Sequence, residues 1–191
     1  TSFHPQARQD TPPSIHHHHH HHHHPASSAK TPATMSASTP FDYQAIRNTI
    51  SLYCLALDTK DFALLPQVFT ADVEAIYPIR TATGVDALAG AIEKRLSPVS
   101  SHHTLGTQII EIAPDGRAAK ARTYFTGVHF GRGRWEGKAV TAWGTYVDDL
   151  VLVDGPAARN VLPGASGQWL IKRRECLWTK RLGEEGVMEG E

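Results

Sequence analysis

The sequence predicts an α+β fold in which N-terminal helices pack on a strongly curved antiparallel β-sheet and enclose a pocket. Three observations predict it. Apolar residues recur at helical spacing as far as Leu96, and long alternating apolar and polar runs occupy the chain from His103 onward. Turn-forming clusters such as Asp115-Gly116 separate those runs as hairpin connections do.

The chain has 191 residues, and His16–His24 is an unbroken run of nine histidines set among Pro, Ser and Thr. It reads as a purification tag, so residues 1–34 are expected to be disordered tag and linker, and 35–191 a single domain. Setting aside Arg8, Lys30 and Asp10 leaves 17 Lys plus Arg against 18 Asp plus Glu. Such a balance argues against a nucleic-acid partner, which calls for a basic stripe. No apolar run reaches the ~18 residues of a membrane span. Cys54 and Cys176 are too few for a disulfide framework or a metal cluster, so a cytoplasmic domain is expected, with no metal site.

Taken in order, Phe41-Asp42 reads as a helix entry, with Asp42 able to cap free backbone N–H groups. Ile46, Ile50, Tyr53 and Leu57 form one helical stripe. Asp58 lies beside that stripe near the helix end, where the helix dipole disfavours a carboxylate. A short second helix is expected over Phe62–Phe69, limited by Pro66, then a strand over Val73–Tyr77 and a third helix over Gly84–Leu96. Strands follow at His103–Ile112, Ala118–Phe130, Ala139–Val153 and Gln168–Lys180. Helices lying over a curled sheet leave an open mouth, and a pocket of that kind is the default binding site.

No phosphate-binding loop, dinucleotide glycine fingerprint, Gly-x-Ser-x-Gly elbow or zinc-helix motif occurs. What stands out is a set of titratable side chains on otherwise apolar elements: Asp58, Tyr77, His103, His129 and Tyr146. Singly, each has a structural reading, as a strand Tyr in the core or a hydrogen-bonded His. His102 and His103 are adjacent in a strand and must point to opposite faces.

The stretch Leu57-Asp58-Thr59-Lys60-Asp61-Phe62, followed by Leu65, Val68 and Tyr77, resembles the start of the scytalone dehydratase family within the wider SnoaL-like, NTF2-like superfamily. In that family a Tyr-Asp pair ends the first helix and a second catalytic Tyr follows at a spacing that lands on Tyr77. His103-Thr-Leu-Gly-Thr lies where the family has His-Phe-Ile-Gly-Gly, so its principal catalytic His falls on His103. With one extra hairpin residue its second catalytic His falls on His129, and a polar Asn falls on Tyr146. Leu57 stands in place of the first tyrosine, with Tyr53 one turn earlier, and Gly144 in place of a Ser.

The resemblance implies an NTF2-like cone and a cofactor-independent lyase or isomerase of natural-product biosynthesis. Its substrate would be a polyketide- or terpenoid-like small molecule, and scytalone itself is not expected. Asp58, His103, His129 and Tyr77 would be catalytic; Tyr53, Tyr124 and Tyr146 would contact substrate. Asp58 would hold one ring nitrogen of His103 and leave the other as an acid or base near neutral pH. Rival readings are a non-catalytic ligand-binding or assembly module and a hydrolase using the same pair on water. Four tryptophans on or near the strands, Trp135, Trp143, Trp169 and Trp178, suggest an exposed sheet face and a homodimer or homotrimer.

Overall fold

In the computed structural model the described residues are 38–189, so the tag and linker over 1–34 lie outside them. Helix α1 spans Pro40–Thr59. Thr39 is its N-cap, and Asp42 sits at the third helical position, where its carboxylate accepts from the Thr39 backbone N–H at 2.7 Å. The same carboxylate accepts from Ser166 and from the Trp169 indole, tying the helix start to the last strand. Ile46, Ile50, Tyr53 and Leu57 are buried, as a single apolar stripe requires. Lys60 closes the helix in the left-handed region, φ 61°.

Pro66 lacks an N–H, and Phe62–Gln67 is a 3-10 turn in place of the expected short α-helix. Strand β1 (Phe69–Tyr77) turns at Pro78-Ile79 into β2 (Arg80–Thr83), a short strand that the sequence reading did not contain. Helix α2 (Val85–Leu96) buries Val85, Leu88, Ile92 and Leu96. Strands β3 (Ser100–Ile112), β4 (Ala118–Phe130), β5 (Ala139–Val153) and β6 (Gln168–Gly183) then form an antiparallel meander.

The six-stranded sheet has the order β2-β1-β6-β5-β4-β3. One pairing departs from the all-antiparallel expectation: β1 docks on β6 in parallel. The chain between them supplies the long crossover that a parallel pair needs. Register shifts at Leu105/Gln108, Trp143/Gly144 and Asp149/Leu150 mark bulges, which bend strands and raise local twist. The sheet is curved and unclosed, and the helices lie on its concave face, where the core collects. Among the described residues no helix is long and apolar enough to cross a membrane.

Candidate active site

Between α1, α2 and the concave sheet lies a cavity of about 340 Å³. Tyr53, Tyr77, Tyr146, Phe125, His103 and His129 line its interior. Alternation places them there. On β4 the odd-numbered residues from 119 to 129 face inward, and on β5 the even-numbered ones do.

Asp58 sits behind His103. Its Oδ1 is 2.7 Å from His103 Nδ1, and its Oδ2 accepts from the His103 backbone N–H, also at 2.7 Å. Ser101 Oγ donates to Asp58 Oδ1 at 2.9 Å, and Lys60 Nζ donates to Ser101 Oγ at 2.9 Å. Burial pushes the Asp58 carboxyl up, but the His103 and Ser101 hydrogen bonds outweigh it and hold the group below the usual carboxylate range. Asp58 is therefore ionised at neutral pH. An ionised carboxylate on Nδ1 favours the Nδ1–H tautomer and leaves Nε2 able to accept a proton.

His129 comes inward on β4 with its ring centroid 5.5 Å from that of His103, edge to face. Its Nδ1 is buried without a hydrogen-bond partner. Burial first, then its neighbours His103, Arg181 and Arg95, push its pKa down to about 3, so it is neutral at pH 7. His102, one residue from His103, points to the outer face and is exposed.

Tyr53 and Tyr77 hydroxyls lie 2.9 Å apart. Burial pushes both up, Tyr77 to about 12 and Tyr53 well above the ordinary tyrosine range. Tyr146 is buried beside Tyr53 and stacks on Phe125 at 4.2 Å. Tyr124 is a correction. It belongs to the even-numbered, outward face of β4, is 54% exposed and does not line the cavity. The parity that turns His129 inward turns Tyr124 out.

The sequence reading missed a buried pair directly under this floor. Arg174 and Asp148, both fully buried, make two hydrogen bonds of 2.7 Å. The guanidinium lies 4.4 Å from the Tyr53 ring centroid and 4.2 Å from that of Tyr146. Desolvation opposes its charge, but Asp148 and the tyrosines dominate and keep Arg174 protonated. Cys54 and Cys176 are buried thiols pushed up to about 12, unsuited to nucleophilic work.

A helical cover over a curved, unclosed sheet, with a pocket on the concave face, defines an NTF2-like α+β cone. The chain matches the SnoaL-like domain over residues 41–175, and it belongs to that family. A provisionally named scytalone dehydratase from Novosphingobium aromaticivorans is 26% identical, with TM-score 0.60, over 73% of this chain and 85% of that one. A protein from Kribbella flavida is 14% identical, with TM-score 0.63, over 78% of this chain and 97% of that one. The hexachlorocyclohexane dehydrochlorinase LinA-type3 from Novosphingobium barchaimii shares the fold at 12% identity and TM-score 0.60, over 75% and 90% of the two chains. A comparison with curated protein sequences finds no match.

Proposed function

We propose that this protein is a cofactor-independent lyase or isomerase that acts on a small, largely apolar ring compound by general acid–base chemistry. The observation that carries the reading is the 2.7 Å Asp58–His103 contact, with the His103 ring presented to an apolar cavity. Two of the similar folds bear names of elimination enzymes, a dehydratase and a dehydrochlorinase, which supports the same class.

In an elimination, His103 Nε2 takes a proton from the carbon next to a carbonyl, and the C–H electron pair moves into an enolate. Expulsion of a β-hydroxyl then forms the C=C bond. The proton on His103 joins the leaving oxygen, so the products are an enone and water. In an isomerisation the same proton returns to another carbon. Asp58 touches no substrate; it fixes the ring tautomer and stabilises the imidazolium. Either hydroxyl of the Tyr53–Tyr77 pair can donate to the other; with Tyr53 donating, Tyr77 turns its own proton to the enolate oxygen.

The test is a panel of cyclic β-hydroxy ketones in D₂O, followed by NMR for α-proton exchange and by absorbance for enone formation. Exchange or elimination by the intact protein, reduced at least about 100-fold in His103→Gln, is expected. No exchange with any member, or exchange indifferent to His103→Gln, would contradict the reading and favour a ligand-binding module.

A further inference from the structure

The cavity interior is apolar, but one end of it is not. Arg80, Lys94, Arg95 and Arg181 line it there, and among the described residues Glu189 is the one carboxylate that lines it with them. They converge from three elements: Arg80 opens β2, Lys94 and Arg95 lie in the last turn of α2, and Arg181 lies near the end of β6. A helix dipole favours cations on a last turn, which accounts for Lys94 and Arg95 as helix stabilisers. It does not account for two arginines brought to the same place by separate strands.

Their counter-charges are few. Arg181 is used by Glu185, with hydrogen bonds of 2.8 and 2.5 Å, and its guanidinium lies over the Trp178 ring. Among the described residues, no carboxylate lies within ion-pair distance of Arg80, Lys94 or Arg95. Arg95 is half-buried, and its nearest charged neighbours include Arg181 and Arg80 as well as Glu185. Arg95 and Arg181 also act electrostatically on His129, whose ring neighbours that of His103. The positive cluster is thus continuous with the catalytic end of the cavity. Cations held together at the edge of a low-dielectric cavity repel one another and are relieved by an anion. The planar arginine fork matches a carboxylate in a two-bond geometry.

We propose that the natural ligand of this cavity carries a carboxylate, held by Arg95 and Arg80 at the mouth while its apolar body lies against Phe125 and Tyr146. The proposal rests on the reading of the cavity as a substrate pocket and adds the substrate class. A neutral ring compound would leave Arg80, Lys94 and Arg95 with no ion-pair partner among the described residues; an acid would use them to fix which carbon faces His103.

The probes are 2-naphthoate and 2-naphthamide, matched in shape and differing in charge. Their binding to the purified protein is measured by calorimetry, with imidazole NMR shifts of His103 and His129 reporting occupancy of the cavity. The carboxylate is expected to bind at least about tenfold more tightly than the amide at low salt. That preference should shrink as NaCl is raised and should be largely lost in Arg95→Gln and weakened in Arg80→Gln. Lys172→Gln, on the far surface, should leave it unchanged; circular dichroism confirms that each variant is folded. Equal affinities, no binding of either probe, or binding that leaves both imidazoles unshifted would overturn the proposal. So would a preference that survives both arginine substitutions. The measurement is repeated in His103→Gln, where the carboxylate preference should persist. Binding there separates this proposal from the acid–base reading, which fails or stands on turnover alone.

Discussion

Gly127 faces His103 across the β3–β4 ladder, and a Cβ there would lie 3.0 Å from His103 Cδ2 and 3.1 Å from Nε2. The imidazole therefore rests on a bare backbone, and a methyl group would push it off its line to Asp58. Gly127→Ala is expected to lower turnover at least about tenfold while costing only a few degrees of Tm. An unaltered rate would show that the ring position is not critical. His129 gives a second test. Its unfolded pKa is ~6.5 and its folded pKa about 3, so below pH 6.5 the unfolded chain binds a proton that the folded chain refuses. Stability should therefore drop as pH is lowered through that window, by up to about 1.4 kcal/mol per unit, and His129→Gln should flatten the slope in urea titrations. Asp58 adds to the loss at lower pH. Its folded pKa is below the ordinary 3.8, so its contribution is present above that value and lost beneath it. An unchanged slope in His129→Gln would contradict the burial of this histidine. Asp58 was singled out by its place beside an apolar stripe at a helix end, whereas His103 and His129 were brought to one pocket by the family resemblance, since alternation sets the face of a strand residue but not which strands meet. Tyr124 was misplaced although alternation counted from His129, five residues on, already turns it outward.

Element pairing explains the residue that no pattern announced. Arg173 faces Asp149 and Ile171 faces Leu150 across β5–β6, which leaves Lys172 as the extra, bulged residue. The bulge resets the alternation, so Ile171 and Arg174 both point inward although they are three apart. Without the bulge, the phase of Ile171 would turn Arg173 inward and leave Arg174 on the outer face. The same device operates on β3, where His103 and Ile110 share the inward phase across the shift at Leu105/Gln108. Arg174→Met alone strands a buried Asp148 carboxylate and is expected to cost about 3–5 kcal/mol, measured by urea unfolding. Arg174→Met with Asp148→Leu removes both charges and should recover most of that stability. A double variant as unstable as the single one would show that the pair contributes more than mutual neutralisation.

At the scale of the molecule, the parallel docking of β1 on β6 places Tyr77 at the cavity beside Tyr53 of α1. The sequence could indicate a strand ending at Tyr77 but not its neighbour, since a β1–β6 contact joins segments about a hundred residues apart and leaves no local signature. The opposite face of the sheet carries exposed Tyr124, Trp143 and Leu177, with Tyr124 and Leu177 both flanking Thr145 in the ladder. Contiguous apolar exposure of this kind marks association surfaces. We expect copies of the chain to assemble there, as a homodimer or homotrimer, and Leu177→Lys to shift sedimentation toward monomer. Unchanged sedimentation in that variant would place any assembly elsewhere.

An ionised Asp58 is expected to hold His103 as the Nδ1–H tautomer with Nε2 open to the cavity. Nitrogen-15 NMR of the His103 imidazole at neutral pH reads this directly. A protonated, pyrrole-type Nδ1 and a bare, pyridine-type Nε2 are predicted, with the tautomer preference lost in Asp58→Ala. A protonated Nε2 in the intact protein, or a tautomer indifferent to Asp58→Ala, would show that Asp58 does not set the His103 ring for proton transfer.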